Sequence, residues 1–364
     1  MNQTEGKAKI RVSAGKITRK LPVFYNPAMK LNRDISLLLL GSIDAKRMKV
    51  ADPLAASGVR SIRFLLELQK SKIKKVMLND GSKEAVSSIK NNLKLNKLKS
   101  KVSVSNDDAN IFMLKNRPFD YVEIDPFGTP VPFLDAAVKG LSHAGILAVT
   151  ATDTAALSGT AQKACKRKYW ATPLRNHLMH ELGLRILIRR IQLVAASHEK
   201  ALTPIFSYSK LHYMRVFLKC NAKVSDTDRI LKQHKTFFCC RDCFSITEKQ
   251  ECSCNNKTLD IVGPLWTGEL WDKKLAGTIY QNCQDSKDFL KTLSDESKVP
   301  ALGFYDTHLI CKKLKLSVPN LAVVISSLKS NGYASTRTHF NSNGIRTTAP
   351  SSVVIKAVSQ FSTQ

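Results

Sequence analysis

The sequence predicts an α/β fold, with a Rossmann-like domain built on a mostly parallel sheet and a smaller α/β domain at the C-terminus. Three observations carry this prediction. Strand patterns alternate with helical patterns from residue 49 onward, two further strands lie close together near residue 210, and five of the nine cysteines crowd into residues 239–254. Strands separated by helices form parallel sheets, whose ligands bind at the carboxyl ends of the strands.

The elements of the first domain follow one another in βα order. Strand patterns cover residues 48–51, 75–78, 102–104, 121–124 and 146–150, and helical patterns cover 31–43, 58–68, 82–95, 131–141 and 176–196. The last two strands, 205–208 and 213–218, are close enough for a hairpin but not for a crossover. A parallel sheet that ends in an antiparallel hairpin indicates a methyltransferase rather than a dehydrogenase. We therefore expect a methyltransferase domain at residues 1–220, with a basic N-terminal segment 1–30, and a C-terminal domain at residues 221–364.

The charge of the chain indicates a polyanionic partner. Its 57 Lys and Arg residues outnumber 29 Asp and Glu residues, which gives a net charge of +28. Such an excess attracts nucleic acid and repels other copies of the chain, so we expect a monomer that binds nucleic acid, with a merely basic surface as the alternative.

Two stretches concentrate the positive charge and are predicted to track phosphates. The first, residues 161–200, sets nine cations against two acidic residues: Lys163, Lys166, Arg167, Lys168, Arg175, Arg185, Arg189, Arg190 and Lys200. The second stretch is the part of the sequence after Asp306. It has no carboxylate side chain but seven cations: Lys312, Lys313, Lys315, Lys329, Arg337, Arg346 and Lys356. Within the first stretch, RKYW at 167–170 suits an unstacked nucleotide, with a helix that buries its tryptophan as the alternative.

No segment of the sequence predicts export or membrane insertion. The apolar runs are too short to cross a membrane, and the N-terminus has no apolar signal core. We therefore expect a cytoplasmic protein. In such a chain, clustered cysteines favour metal binding over disulfides.

The loop DPLAASGVR at residues 52–60 follows the first strand and opens a helix. A loop in this position brings backbone N–H groups to a ligand. Small residues replace every glycine of a dinucleotide fingerprint except Gly58, which argues against a pyrophosphate and favours the smaller cofactor S-adenosylmethionine. We place Asp52 and Gly58 in the cofactor site; an ordinary tight turn is the alternative for the loop taken alone.

Acidic residues stand at the ends of the next two strands. Asp80 lies at the offset from Gly58 where a carboxylate accepts hydrogen bonds from ribose hydroxyls. The third strand ends in NDDAN at 106–110, where a carboxylate can accept a hydrogen bond from an adenine amine. Each acid could instead cap a helix, but the series of three strand ends outlines an adenosyl nucleoside.

The loop DPFGTP at residues 125–130 is the most specific feature of the sequence. It belongs to the type of loop that amino-methylating enzymes place beside the sulfonium of the cofactor. An exocyclic amine is a poor nucleophile because its lone pair is delocalised into the ring. The Asp125 carboxylate and the Pro126 carbonyl can accept its two N–H bonds, and Phe127 can stack on the extruded base. A structural turn with two prolines is the alternative.

The cysteine-rich stretch 239–254 predicts a zinc knuckle. Cys240 and Cys243 form a CxxC pair that suits one half of a tetrahedral site, and Cys252 and Cys254 supply the other half as CxC. A reduced, metal-free loop is the alternative. Three further residues could replace one of these ligands: Cys239, His234 and Cys283.

These motifs resemble the tRNA guanine-26 N2-dimethyltransferase family in its archaeal form. The resemblance rests on FYNP (24–27), NRD (32–34), the loops at 52–60 and 125–130, and DAN (108–110), and it continues through LGLR (182–185), GPLW (263–266) and TRTHF (336–340). It therefore covers nearly the whole chain. The chain departs from the family in CxC, where a second CxxC is expected.

The resemblance implies an activity and a set of site residues. The activity is transfer of one or two methyl groups from S-adenosylmethionine to the exocyclic N2 of guanine 26, with a C-terminal domain that helps to hold tRNA. Asp125 and Phe127 would lie at the target base, with Phe24 as a second aromatic near the amine. The implied cofactor contacts are Arg33, Arg60, Asp80, Asp108 and Ala109.

Two other functions remain open at this point. Another amino-methyltransferase, acting on DNA, rRNA or protein, would share the Asp125 loop but not the basic C-terminal module. A non-catalytic, zinc-containing RNA-binding protein would share the charge and the cysteines, but it would not bind S-adenosylmethionine.

Overall fold

The N-terminal residues form a hairpin that precedes the central sheet. In the computed structural model of the chain, which describes residues 2–12, 21, 23–252, 254 and 259–362, strands β1 (Asn2–Glu5) and β2 (Ala8–Arg11) pair antiparallel. A single 3-10 turn leads into helix α1 (Lys30–Ser42). Residues 1, 13–20 and 22 of the predicted basic segment lie outside the described residues.

The central sheet has seven strands in the order β5-β4-β3-β6-β7-β9-β8. They are β3 (Met48–Asp52), β4 (Ile73–Asn79), β5 (Val102–Ser105), β6 (Phe119–Ile124), β7 (Leu141–Ala151), β8 (Ala201–Lys210) and β9 (Tyr213–Asn221). Strands β3 to β7 are parallel, and β9 runs antiparallel to both β7 and β8. The predicted sheet, mostly parallel with a C-terminal hairpin, is confirmed.

Helices connect the strands of this sheet and pack against it. They are α2 (Val59–Glu67), α3 (Lys83–Leu95), α4 (Ala109–Asn116), α5 (Leu134–Gly140), α6 (Thr154–Leu157), α7 (Gln162–Tyr169) and α8 (Met179–Ala196). Helix α4 was not predicted, because Ile111 and Leu114 are exposed beside buried Phe112 and Met113, which hides the apolar stripe that identifies a helix. Within the described part of the chain, no helix combines the length and apolar character needed to cross a bilayer.

The C-terminal part contains two small sheets and further helices. In chain order the elements are α9 (Val224–Leu231), β10 (His234–Cys240), β11 (Ile246–Thr247), β12 (Leu259–Trp266), α10 (Lys273–Asn282), α11 (Lys287–Glu296), β13 (Tyr305–Asp306), α12 (Thr307–Leu314), α13 (Leu321–Ser330), β14 (Ser335–Arg337), β15 (Gly344–Thr347) and α14 (Ser351–Gln360). Strands β11, β10 and β12 form one antiparallel sheet, and β13, β15 and β14 form the other.

Buried apolar side chains form two clusters. The larger one begins at Ala8 in the N-terminal hairpin, fills both faces of the central sheet and extends to Phe304. The smaller one lies between Ile310 and Val358. The helices α10 and α11 therefore pack on the core of the first domain, and the predicted boundary between residues 220 and 221 stays a prediction.

Candidate active site

A cavity of about 670 Å³ lies at the carboxyl ends of β3, β4 and β6. This volume is ordinary for a small-molecule site, and the position is the one expected for a ligand of a parallel sheet. Seven residues predicted from the sequence line it together: Phe24, Arg33, Asp52, Arg60, Asp80, Asp125 and Phe127.

Gly58 shapes the loop after β3 without lining the cavity. Its φ angle is +75°, a left-handed conformation that favours glycine. A Cβ atom there would lie 3.3 Å from Leu78 Cδ2, so a larger residue would press on β4. The Gly58 N–H donates to the Ala55 carbonyl at 2.7 Å, and the Ala55 N–H donates to the Asn79 carbonyl at 3.0 Å. The loop is thus held against the end of β4.

Asp80 connects this loop to the start of α3. Its Oδ2 accepts a hydrogen bond from the Ala56 N–H at 2.9 Å, and its Oδ1 accepts one from the Ser82 N–H at 3.0 Å. Each carboxylate oxygen keeps a second acceptor position. Because Asp80 also lines the cavity, its geometry fits a contact with ribose hydroxyls.

Asp108 and Ala109 are placed differently. Asp108 caps α4, where its Oδ1 accepts hydrogen bonds from the N–H groups of Asn110 at 2.9 Å and Ile111 at 3.1 Å. Neither Asp108 nor Ala109 is among the described residues that line the cavity. The capping alternative therefore holds for Asp108, and its contact with the adenine amine stays a prediction.

Arg60 links Asp125 to helix α1. Its Nη2 donates to Asp125 Oδ2, while its Nη1 donates to Asn32 Oδ1 at 2.8 Å and to Ser36 Oγ at 2.9 Å. The Arg60 side chain is buried, whereas the Asp125 side chain is 23% exposed. Asp125 therefore presents a charge-paired carboxylate to the cavity.

A second ion pair lies beneath Arg60. The Arg215 guanidinium donates to both carboxylate oxygens of Glu123, at 2.5 and 2.8 Å, and Glu123 Oε2 lies 3.7 Å from Arg60 Nε. Burial alone would raise the pKa of Glu123, but Arg215 and Arg60 lower it. Neither Glu123 nor Arg215 was predicted as a site residue. The signal in the sequence is a charged residue flanked by apolar residues within a strand, as in YVEI at 121–124 and YMRVF at 213–217.

Asp52 is the carboxyl group of this region whose burial is least offset by hydrogen bonds and nearby positive charge. It is 4% exposed, and its Oδ2 accepts a hydrogen bond from Ser61 Oγ at 2.7 Å. Burial raises the pKa of Asp52 to about 7, against the lowering effects of Ser61 and of the Arg60 charge. Asp52 lines the cavity, so a bound ligand would contact a carboxyl group that changes charge near neutral pH.

Two aromatic rings stand at the cavity beside Asp125. Phe24 and Phe127 meet edge to face, with ring centroids 4.4 Å apart, and Phe127 is 48% exposed. The loop that carries Phe127 is fixed to the end of β7 by Thr152, whose Oγ1 accepts from the Gly128 N–H at 2.7 Å and whose N–H donates to the Gly128 carbonyl at 2.9 Å. Phe24, which the resemblance implies as a second aromatic near the amine, therefore lies beside Phe127 in the cavity, and its role there stays a prediction.

Arg33 ties the N-terminal hairpin to the cavity wall. Its Nε donates to Glu5 Oε1 at 2.6 Å, and Tyr25 and Arg63 also bond the Glu5 carboxylate. Burial would raise the pKa of Glu5, but Arg33 and Arg63 lower it. Glu5 and Tyr25 were not predicted to support the site, because nothing in the local pattern marks Glu5 as buried.

The predicted zinc ligands come together in space. The Sγ atoms of Cys240, Cys243, Cys252 and Cys254 all lie within 4.8 Å of one another. A tetrahedral zinc with four thiolates separates its sulfur atoms by about 3.8 Å. The donor set and spacing therefore fit a structural zinc site, although Ser253 and residues 255–258 lie outside the described residues.

None of the three alternative ligands joins the four clustered Sγ atoms among the described residues, and two of them have other partners. Burial raises the pKa of Cys239 to about 12, which disfavours the thiolate that a metal requires. His234 Nε2 lies 2.8 Å from the side-chain oxygen of Gln192, and the Cys283 thiol donates to the Tyr280 carbonyl at 2.9 Å.

Two cations predicted to track phosphates are instead buried in an ion-pair cluster. Arg346 Nη2 donates to Glu181 Oε2 at 2.6 Å and its Nε donates to Glu296 Oε1 at 3.0 Å, while Arg185 Nε donates to Glu181 Oε1 at 3.0 Å. The Arg346 side chain is fully buried. The prediction is wrong for Arg185 and Arg346. Arg185 pairs with Glu181 four positions away on the same helix, but a charge count does not show that both are buried; the carboxylates that pair with Arg346 lie 50 and 165 positions away.

The fold and the cavity together define a class. A parallel sheet with an antiparallel hairpin, an adenosine-type acidic residue after β4 and an amino-methylating loop after β6 are the marks of an S-adenosylmethionine-dependent methyltransferase. The family is narrower: the chain belongs to the N2,N2-dimethylguanosine tRNA methyltransferases, whose family model matches residues 6–359. The resemblance seen in the sequence is confirmed.

Individual relatives match over nearly their full length. A tRNA (guanine(26)-N(2)/guanine(27)-N(2))-dimethyltransferase of Aquifex aeolicus is 38% identical, with 98% of this chain and 95% of the relative covered. A tRNA (guanine(26)-N(2))-dimethyltransferase of Methanocaldococcus jannaschii is 39% identical, with 94% of each covered. The solved complex of Trm1 from Pyrococcus horikoshii with S-adenosyl-L-methionine aligns with a TM-score of 0.88 at 35% identity, covering 98% of this chain and 99% of that one.

Proposed function

We propose that this protein transfers one or two methyl groups from S-adenosylmethionine to the exocyclic N2 of guanine 26 in tRNA. Family membership supports the reaction, and both relatives described above are named for guanine 26. The Pyrococcus complex supports the cofactor. In this proposal residues 1–220 carry the chemistry and residues 221–364 help to hold tRNA.

The observation that carries the proposal is the position of Asp125 between Arg60 and the Phe24–Phe127 pair. The carboxylate accepts a hydrogen bond from Arg60 and lines the cavity below two aromatic rings. A carboxylate has about four acceptor positions, so Asp125 can hold Arg60 and an amine N–H at the same time. A purely structural turn would not need this arrangement.

The residues predicted to bind the cofactor have distinct roles in the proposal. Asp80 accepts the ribose hydroxyls, the backbone after Asp52 follows the nucleoside, and Arg33 and Arg60 form the cationic wall. Gly58 supports the loop conformation. Asp108 and Ala109 border the adenine end. When bound, S-adenosylmethionine supplies a methyl group activated by its sulfonium charge.

The chain prepares the amine for in-line attack. Asp125 and the Pro126 carbonyl accept the two N–H bonds, which concentrates electron density on nitrogen and fixes its direction. Phe127 stacks on the base after it has left its helix or tertiary stack, and Phe24 packs beside the amine. After the N–C bond forms and the C–S bond breaks, the nitrogen is acidic and releases its proton to solvent. Asp125 therefore needs to accept a hydrogen bond from the amine and to orient the amine, but it does not need to remove the proton.

We also propose that the protein acts as a monomer in the cytoplasm. A net charge of +28 opposes self-association and suits a polyanionic substrate. Sedimentation at equilibrium should give the mass of a single 40.5 kDa chain. A mass of two chains would contradict this part of the proposal.

The test of the function is mass spectrometry of tRNA nucleosides after incubation with the protein and S-adenosylmethionine. The expected products are N2-methylguanosine and N2,N2-dimethylguanosine, and a matched tRNA with adenine at position 26 should yield neither. Absence of both products from the unaltered tRNA would overturn the proposal. Equal yield from the adenine-26 tRNA would move the target to another guanine.

A further inference from the structure

Trp170 has an unusual conformation for an exposed residue. It is 58% exposed and follows α7 with φ +54° and ψ +43°, a left-handed conformation that is unfavourable for a bulky side chain. The other two tryptophans, Trp266 and Trp271, are 3% and 4% exposed. Of the three tryptophans, only Trp170 thus presents its ring to solvent, and it does so on a strained backbone.

Two arginines of α8 hold the Trp170 ring and its backbone. The Arg190 guanidinium lies over the ring at 3.8 Å from its centroid, and Arg190 Nε donates to the Lys168 carbonyl at 2.9 Å. Arg189 Nη1 donates to the Trp170 carbonyl at 3.2 Å. In the part of the chain that the structure describes, neither arginine forms an ion pair. The ring is therefore fixed in place by cations whose charge is not neutralised locally.

Helix α7 adds three exposed cations on one face. Lys163, Lys166 and Arg167 follow the i, i+3, i+4 spacing that places residues on one side of a helix, and all three are exposed, while Cys165 and Tyr169 are buried. None of the three cations has an ion-pair partner among the described residues. Such a face attracts a polyanion.

Tyr169 connects this helix to the loop at residues 125–130. Its hydroxyl donates to Asp153 Oδ1 at 2.6 Å and lies 3.0 Å from Thr129 Oγ1. Thr129 belongs to the same loop as Asp125 and Phe127. A ligand on α7 therefore lies one buried side chain away from the loop proposed to hold the target base.

We propose that a surface formed by Lys163, Lys166, Arg167, Trp170 and Arg190, the α7 surface, binds a nucleotide of tRNA other than the methylated guanine. An unstacked base lies on the exposed side of the Trp170 ring, and the three cations of α7 contact neighbouring phosphates. Aromatic stacking combined with a cationic face is the usual mode of binding unpaired nucleotides. The inference rests on the proposed function, because that function makes tRNA the partner.

Tryptophan fluorescence tests the contact directly, because acrylamide in solution can reach Trp170 far better than the two buried rings. Adding tRNA to the full chain should protect the quenchable fraction of the emission, and Trp170→Phe should remove that fraction without tRNA. Unchanged quenching at saturating tRNA would overturn the proposal.

A substitution separates RNA binding from a structural role. Trp170→Gly removes the ring and also relieves the left-handed backbone strain, so the thermal unfolding midpoint should stay the same or rise. Its Kd for tRNA should increase about 10-fold, while Trp170→Phe should retain most of the affinity. Equal Kd values for Trp170→Gly and the unaltered chain would contradict the stacking contact.

The salt dependence of binding tests the phosphate contacts. Replacing Lys163, Lys166 and Arg167 by Gln should reduce the slope of log affinity against log salt by about 2. An unchanged slope would place the phosphates elsewhere. Failure of the α7 surface and failure of the proposed function are distinguishable. If the unaltered protein methylates guanine 26 but tRNA does not protect Trp170 from quenching, only the α7 surface is rejected. Protection of Trp170 without methylation rejects only the function.

Discussion

Two of the buried charge clusters among the described residues are built differently. The pocket cluster lies under the cavity and consists of Asp52, Arg60, Glu123, Asp125 and Arg215. The junction cluster joins α8 to the C-terminal strands and consists of Glu181, Arg185, Glu296, His339 and Arg346. Both contain guanidinium–carboxylate pairs, but only the junction cluster satisfies every carboxylate oxygen.

The pKa values of Glu296 and Asp52 differ because the two clusters offset the burial of a carboxylate to different extents. In the junction cluster, burial would raise the pKa of Glu296, yet His339 and Arg346 lower it to about 2. In the pocket cluster, burial raises the pKa of Asp52 to about 7 because only a hydroxyl bonds it directly. The junction cluster is therefore arranged to stabilise the folded chain. The pocket cluster leaves acceptor capacity that a ligand can use.

The largest expected effect is on the junction cluster. Arg346→Met removes the cation shared by Glu181 and Glu296, and breaking a buried pair in this way costs about 3–5 kcal/mol of unfolding free energy. Urea unfolding measures this loss, and Arg346→Lys, which keeps a charge, should lose less. A loss below about 1 kcal/mol for Arg346→Met would show that this cluster does not stabilise the fold.

The cysteine cluster should contribute stability without contributing to chemistry. Replacing Cys240 and Cys243 by Ser should remove bound zinc and, relative to protein in zinc at 100 times its Kd, lower the unfolding free energy by about 2.7 kcal/mol. Methyl transfer per folded molecule should change little, because a four-cysteine site has no open position. Cys283→Ser, outside the cluster, should retain about one zinc per chain. Zinc well below one per chain in the unaltered protein would contradict the site.

The pH dependence of stability should differ in sign between Asp52 of the pocket cluster and Glu296 of the junction cluster. A raised folded-state pKa means that folded Asp52 keeps its proton between pH 4 and 7, so its contribution to stability falls as pH rises. Asp52→Asn should therefore remove a decline of about 2 kcal/mol between pH 5 and 7 in ligand-free protein.

Glu296 is the matched control, because its pKa is shifted in the opposite direction to that of Asp52. Its lowered pKa means that its contribution is complete above pH 4.5 and is lost as the pH falls towards 2. Glu296→Gln should therefore remove stability that is present at neutral pH. Parallel stability curves for Asp52→Asn and the unaltered chain between pH 5 and 7 would contradict the account of the pocket cluster.

The parts of the fold that follow from local pattern were predictable. Alternating strand and helix periodicity predicted the sheet and its hairpin, and chain spacing predicted the four clustered cysteines. The two loops at 52–60 and 125–130 were recognisable because their chemistry requires particular residue types at strand ends. Helix α4 was missed because its apolar residues lie on both the buried and the exposed side.

The supporting charges were not predictable in the same way. Glu5, Glu123 and Arg215 act through partners 28 to 92 positions away, and one sequence carries no record of such pairs. Arg346 was assigned to the surface for the same reason. A charged residue flanked by apolar residues within a strand is the local signal that could have identified Glu123 and Arg215.

The central claim is that the charge of Asp125 serves turnover rather than stability, and the rate of methyl transfer by Asp125→Asn tests it most directly. Asparagine keeps an acceptor oxygen but loses the charge, so the single-turnover rate on guanine-26 tRNA should fall about 10- to 100-fold. Asp125→Ala should lose more, while the unfolding midpoint and the affinities for cofactor and tRNA stay near those of the unaltered chain. Near-normal methylation by Asp125→Ala would contradict the claim, and a large loss of cofactor affinity would assign Asp125 to cofactor binding instead.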